Sequence, residues 1–349
     1  MNTFKVKNKT LGKGQKPYII AEIAQAHDGS LGLAHAYIEA VAAAGADAVK
    51  FQTHFASEES TKGEPWRVNF SYQDDSRYEY WERMEFNEEQ WQGLKKHADE
   101  LGIDFISTPF SSKAIKLLEK LDVPFWKISS GDINNLPLLQ EIALTGKPVV
   151  LSSGMSPLSE VDFAVNLLKE YKIPFAVLQC TTAYPCPAEK IGLNNVSDFL
   201  ARYNCPVGLS DHSGKIFSCL AAVALEATIL EVHVVFDKKM FGPDVSSSLT
   251  FSELELLVEG SNEIHKMQSN PVDKNAMAIE EMSELRTLFQ KSIVLSSELE
   301  AGTKLTLEHL RFKKPGKGIT PEQVELVIGK TLIQSLPADH FLSFEDLKG

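Results

Sequence analysis

The stretch VGLSDHSG, residues 207–214, begins as a short apolar run and ends in Ser210, Asp211 and His212. Twenty-one residues past His212, the run ILEVHVVF (229–236) repeats the pattern and carries His233 towards its far end. Two segments that read as buried strands therefore each place a histidine where the strand finishes. Six more runs of the same kind precede them: YIIAEIAQ (18–25), DAVKFQT (47–53), DFISTPF (104–110), FWKISSG (125–131), PVVLSSG (148–154) and FAVLQCTT (175–182). Between them lie segments such as LAHAYIEAVAAAGA and EVDFAVNLLKEYKI, with apolar residues at helical spacing. Eight βα units, with strand starts mostly about 20–30 residues apart, predict an α/β fold of the (β/α)8 TIM-barrel type. A doubly wound open sheet is the alternative, but the first turn, AEIAQAHDGS, lacks the Gly-rich fingerprint of that fold.

A chain of 349 residues, 43% hydrophobic and 23% charged, is long enough for a large globular domain and a small one. No apolar run reaches the roughly 20 residues that cross a bilayer, so no membrane partner is expected. The basic start, MNTFKVKNKTLGKGQ, leads into no signal-type apolar core. The net charge of −12 argues against nucleic acid, which requires a basic face. Cys180, Cys186, Cys205 and Cys219 form no close pairs and read as reduced thiols of a cytoplasmic protein.

The eighth unit closes with a helix near 251–268. The polar, acidic stretch that follows changes character, and from about Lys291 the chain becomes short runs and turns. The expected organisation is a barrel over 1–268, a linker over 269–290 and a small, mostly β domain over 291–349.

In a barrel the strand C-termini share one rim, where such enzymes keep their chemistry. That rim collects Glu22, Lys50, Gln52, Thr108, Lys127, Ser130, Asp132, Ser152, Ser153, Thr181, Thr182, Ser210, His212 and His233. Strand alternation points Lys50 with Gln52, Ser210 with His212, and Glu231 with His233. Lys127 and Ser130, three apart, share a side only if their strand ends between them.

A strand-end histidine is often just a hydrogen-bonded structural residue. Two at the same end of neighbouring strands suit a Zn, Mn, Fe or Co ion with positions left for water and substrate. Lysines inside strands need either a partner, for which Glu22 or Asp132 would serve, or an anion; the surrounding hydroxyls favour the anion. The long loop after the second strand, HFASEESTKGEPWRVNFSYQDDSRYEYWERMEF, reads as a lid, because Trp66, Phe70, Tyr72, Tyr78, Tyr80 and Trp81 need burial. KKMFGPDVSSS adds Asp244 on a Gly-Pro turn, which turn chemistry alone also explains.

The ordered set AEIAQAHDGS, KFQTH, STPFS, KISSGDINNLP, LSSGM, CTTAYP, GLSDH, EVHVVF and FGPD resembles the sialic acid synthase family along nearly the whole barrel. KKPGKGI near residue 314 resembles that family's C-terminal antifreeze-like (SAF) domain. The resemblance implies condensation of phosphoenolpyruvate with an N-acylated amino sugar, giving a nine-carbon 2-keto acid and phosphate. It also implies a divalent metal, Mn²⁺ with Mg²⁺ or Co²⁺ as alternatives, and a domain-swapped homodimer. By resemblance His212 and His233 hold the metal, and Lys50, Thr108, Lys127, Ser130, Ser152 and Ser210 hold phosphoenolpyruvate. Gln52, Tyr184, Asp244 and Lys314 match sugar-contacting positions, and Glu22 and Asp132 match the catalytic carboxylates.

Four positions depart from the family pattern: Lys314 for arginine, Thr182 for asparagine, Asp132 for glutamate and Ala26 for asparagine. N-acetylmannosamine is the expected acceptor. A diacetamido hexose, giving a legionaminic- or pseudaminic-type product, is the alternative. A metal-dependent aldolase and a non-enzymatic carbohydrate-binding protein are the competing classes.

Overall fold

The computed structural model describes residues 3–349, which form two compact units, the first ending at Asn270 and the second spanning Pro271–Gly349. In the first unit a hairpin, β1 (Thr3–Val6) and β2 (Lys9–Gly12), precedes eight parallel strands. These are β3 (Tyr18–Glu22), β4 (Ala48–Thr53), β5 (Asp104–Pro109), β6 (Trp126–Ile128), β7 (Val149–Ser152), β8 (Phe175–Cys180), β9 (Val207–Asp211) and β10 (Ile229–Val234). The hydrogen-bonded order is β5-β4-β3-β10-β9-β8-β7-β6, and β5 lies against β6 to close the ring. All eight expected strands are present, and the architecture is a TIM-like barrel with helices outside. A two-residue β11 (Ser248–Leu249) adds to β10.

Alternation along each strand sorts the residues into two shells. Val49, Phe51, Phe105, Val149, Leu151, Val177, Leu209, Leu230 and Val232 face outwards and form the main core with the helices. Ile20, Ala48, Ile106, Phe125, Val150, Ala176, Leu178 and Ile229 face inwards. Two residues further along each strand, the inward row turns polar: Glu22, Lys50, Thr108, Lys127, Ser152, Ser210 and Glu231, all buried. The barrel is thus oil-filled at one end and polar at the other, and strand parity alone produces that layering.

The hairpin was not anticipated from the basic, glycine-containing N-terminal sequence. Its Phe4, Val6 and Leu11 join the inward-facing cluster and plug the apolar end of the barrel. Its alternation is too short to stand out, because only one face of four residues per strand is apolar.

Helices begin where the sequence offers caps. Ser111 accepts from Ala114 N, and Thr250 and Glu253 form a capping box at the head of Phe251–Ser269. In the second unit β12 (Ser292–Leu295) pairs antiparallel with β13 (Leu310–Lys313), and β14 (Thr331–Leu332) with β15 (Leu347–Lys348). They surround a small core of Ile293, Leu295, Leu305, Leu310, Val327, Leu332 and Leu342. Much of the stretch read as a linker is wound into short helices, Lys274–Ala276 and Ser283–Phe289 among them. Its end is tied to this unit by Gly316 N donating to Thr287 O at 2.8 Å.

Gly208 is the tightest point of the inner shell. A β-carbon there would lie 2.0 Å from the Ile229 carbonyl oxygen and 2.6 Å from Leu178 Cδ2. Neither neighbour can retreat, because both are in the barrel wall. Gly208→Ala is expected to destabilise the first unit by at least about 1–3 kcal/mol, read as a lowered denaturation midpoint. An unchanged midpoint would contradict the closeness of this contact.

Candidate functional site

The polar end of the barrel is built in two levels. At the lower level two lysines and two carboxylates are held out of water, none more than 4% exposed. Lys50 Nζ forms an ion pair with Glu22 Oε2, and Gln52 Nε2 donates to Glu22 Oε1 at 2.8 Å. Glu231 Oε1 lies 3.3 Å from Lys127 Nζ and accepts from Ser210 Oγ at 2.9 Å. Glu231 Oε2 is 3.8 Å from Lys50 Nζ.

The lysines are therefore partnered, but by Glu22 and Glu231. Asp132, the other expected partner, instead accepts from Ser129 Oγ at 2.8 Å and Asn135 Nδ2 at 3.2 Å. Burial lowers the Lys50 pKa to about 7, against the opposing pull of Glu231. Burial also works against ionisation of Glu231, yet Lys127 and Lys50 together hold its carboxyl below the usual range. An anion arriving here meets two ammonium groups whose existing partners only partly satisfy them.

The hydroxyls complete this level. Ser152 Oγ is buried and has no partner, so it is free to donate. Thr108 stands opposite Gln52 in the β4–β5 register. β6 ends at Ile128, which lets Lys127 and Ser130 serve the same side. Ser130 Oγ lies 3.4 Å from Thr182 Oγ1. Gly154, at φ +44°, brings the turn after β7 so close that a β-carbon would sit 2.2 Å from the Ser130 side chain.

Above them are the two histidines, with ring centroids 5.4 Å apart. His212 Nδ1 is 2.9 Å from the Thr181 carbonyl, so that nitrogen carries the proton and Nε2 presents its lone pair. Burial, then the neighbouring histidine, lowers the His212 pKa to about 4. Burial, then Lys50, lowers that of His233 to about 3. Both rings are neutral at neutral pH, the state a metal requires. Among the described residues no third His, Cys, Asp or Glu joins them in a ligand cluster. Two neutral imidazoles fit a divalent ion that keeps open positions for water and substrate, and do not fit a closed structural site.

The upper level is a cavity of about 410 Å³. Gln52, Asp132, Thr182, Tyr184, His233 and Asp244 border it on the barrel side, and Trp66, Arg67, Phe70, Arg77, Tyr80 and Trp81 of the long loop on the other. Tyr184 stacks on His212 with centroids 4.1 Å apart. Arg67 pairs with Asp244 at 2.8 Å and lies 4.4 Å over the Tyr184 ring. Of the loop's aromatic residues expected to be buried, Tyr80 is, Trp66, Phe70, Tyr78 and Trp81 are half-buried, and Tyr72 is 89% exposed. Lys314 belongs to the second unit, where its ammonium sits 5.0 Å over the Phe289 ring.

Glu231, His54, Gln25 and Arg67 are site residues that the sequence reading did not assign. Strand alternation points Glu231 the same way as His233 but assigns it no partner or role. Gln25, His54 and Arg67 sit in loops, where no periodicity reports direction.

All four cysteines are buried and unpaired. No helix among the described residues is long and apolar enough to cross a membrane.

Comparison with known proteins gives the site its context. Over 333 residues, 93% of this chain and 91% of the other, the sequence is 34% identical to the N-acetylneuraminate-9-phosphate synthase of Homo sapiens. It is also 34% identical to the N,N'-diacetyllegionaminic acid synthase of Campylobacter jejuni, over 94% of this chain and 99% of that one. The crystal structure of the N-acetylneuraminic acid synthetase of Leptospira borgpetersenii superposes with a TM-score of 0.72 at 30% identity, covering 81% of this chain and 97% of that one. The family model for NeuB matches residues 37–273, and that for the SAF domain matches residues 290–348. With the barrel, its polar mouth and relatives of this similarity along nearly the whole chain, the protein belongs to the NeuB family and ends in a SAF domain.

Proposed function

We propose that the chain is a nonulosonate synthase working as a homodimer. It condenses phosphoenolpyruvate with an N-acylated amino sugar, giving a nine-carbon 2-keto acid and phosphate. The observation that carries this reading is the lower level of the site, where two buried lysines and the unpartnered Ser152 hydroxyl lie beneath two neutral histidines. That arrangement asks for an anion below and an uncharged, polarisable group above.

Lys50 and Lys127 neutralise the phosphate and carboxylate of phosphoenolpyruvate, while Ser152, Ser210, Ser130 and Thr108 supply donors to their oxygens. The acceptor sugar occupies the upper cavity against Gln52, Tyr184 and Asp244, its aldehyde facing the histidines. A divalent metal held by His212 and His233 supplies a Lewis acid for that aldehyde oxygen. The enol carbon of phosphoenolpyruvate bonds to the aldehyde carbon, and water adds to the carbon bearing the phosphate. Breaking the C–O bond to phosphate then leaves the 2-keto acid.

Glu22 accepts the proton of the attacking water, since an incoming anion draws Lys50 away from it and leaves a buried carboxylate in need of a proton. Asp132 borders the acceptor side and orients the sugar. N-acetylmannosamine is the first acceptor to test, and a diacetamido hexose the second, because relatives are named for N-acetylneuraminic acid and for N,N'-diacetyllegionaminic acid. A metal-dependent aldolase would use the same histidines but would release no phosphate.

Two outcomes are expected. Phosphate release from phosphoenolpyruvate should require one of these sugars and Mn²⁺, stop with chelator, and fall at least about a hundredfold in His212→Ala or His233→Ala; release without sugar or metal would count against the reading. Lys127→Met should raise the KM for phosphoenolpyruvate about 10- to 100-fold while leaving the KM for the sugar nearly unchanged. A rise in both would place Lys127 elsewhere in the mechanism.

A further inference from the structure

One wall of the upper cavity has a surplus that the condensation does not use. Glu59 ends the short helix Ala56–Glu59, which follows KFQTH, and borders the cavity. Its Oε1 lies 2.5 Å from His54 Nδ1, and its side chain is only 10% exposed. Its other oxygen, Oε2, is shielded from water and has no hydrogen-bond partner.

His54 cannot turn away from this carboxylate. The imidazole is clamped between Trp81, 4.1 Å away at 21°, and Phe110, 4.5 Å away at 9°. Gln25 Nε2 lies 2.7 Å from His54 Nε2 and also donates to Gln52 Oε1 at 2.7 Å. A nitrogen that accepts from Gln25 leaves the ring proton on Nδ1, where the Glu59 carboxylate takes it. Glu59 is therefore fixed one imidazole ring further from Glu22 than Gln52 is, with Oε2 lacking a donor.

The other charged groups of the cavity are satisfied. Asp244 has Arg67, Asp132 has Ser129 and Asn135, and Glu64 has Arg77 at 3.2 Å and Trp81 Nε1 at 3.0 Å. Both cavity arginines are thus already paired with carboxylates. Glu59 Oε2 stands without a donor while the cavity arginines are paired with other carboxylates, and an unsatisfied buried carboxylate oxygen is costly.

We propose that Glu59 is a specificity-determining residue for the acceptor. A small rotation of its carboxylate brings Oε2 to the cavity surface to receive a hydrogen bond from an O–H or N–H at the end of the sugar remote from the aldehyde, and its charge excludes a sugar phosphorylated there. His54 is the positioning residue that holds the carboxylate. The proposal rests on the synthase reading for the direction in which the sugar lies. It assigns the enzyme an unphosphorylated acceptor, because a phosphate against Glu59 would meet a like charge, and the arginines described at the cavity are already paired with carboxylates.

The test uses the full-length protein with Mn²⁺ and phosphoenolpyruvate. N-acetylmannosamine, its 6-phosphate and a diacetamido hexose are compared by phosphate release. Binding of each sugar is read by calorimetry with inorganic phosphate filling the lysine site. The wild type should prefer an unphosphorylated sugar. Glu59→Gln keeps an acceptor for His54 but puts an amide where the free oxygen stood. It should raise the KM and Kd for that sugar about 10- to 100-fold and narrow the discrimination against the 6-phosphate. His54→Phe keeps the aromatic stack and should move the sugar KM in the same direction, with the KM for phosphoenolpyruvate and the thermal midpoint in place.

Equal sugar affinity and equal phosphate discrimination in Glu59→Gln would overturn the proposal, as would a wild type that uses the 6-phosphate as readily. Sugar binding that depends on Glu59 without phosphate release would reject the synthase reading and keep the Glu59 contact. A protein that binds none of the sugars would reject both.

Discussion

Everything at the mouth of this barrel depends on keeping four ionisable groups out of water within a few ångströms of one another. Glu22, Lys50, Lys127 and Glu231 come from four different strands, and each would be prohibitively expensive alone. Held as a cluster they neutralise one another. The pairing is uneven, however: the Glu231 carboxylate is shared between two lysines, and Glu22 also takes a hydrogen bond from Gln52. A cluster of this kind is stable enough to fold around and loose enough to exchange partners when a new anion arrives. This physical property is what the proposed condensation would draw on.

The barrel supplies the geometry with little local invention. A strand that begins with an inward apolar residue keeps the same face inward two and four residues later. Ala48 leads to Lys50 and Gln52, and Ile229 leads to Glu231 and His233. Oil below and charge above are thus two stretches of one row. The outward row is mostly apolar and buried under helices, and its polar members are hydrogen-bonded, as Thr53 is to Ser107 and Asp211 to Ser218, so the strands can carry a polar end without losing their grip on the core.

That regularity explains what could be read from the sequence. The eight strands, the inward lysines and the two histidines follow from alternation and strand ends, both properties of local sequence. The same rule points Glu231 with His233, but its pairing with Lys50 and Lys127 joins three strands, and no single run records it. The opening hairpin escaped because four-residue strands give too little pattern. The stretch after Asn270 looked like a linker because its few apolar residues are weakly periodic, and it winds into short, largely exposed helices. His54, Gln25 and Arg67 were invisible for a different reason: their roles come from what loops bring together across the mouth, and a sequence records no such distances. Arg67 meets Asp244, 177 positions away.

The hairpin that seals the apolar end has a kinetic meaning. Among the described residues Phe4, Val6 and Leu11 fill the floor, so the apolar end of the barrel is closed and the cavity lies at its polar end. Any molecule resting at the depth of Lys50 has to pass the depth of Gln52 and Tyr184, and a second molecule lodged there shuts it in. For the proposed reaction this would order loading from the inside outwards and unloading from the outside inwards. That order would come from a two-stranded stopper at the opposite end from the chemistry.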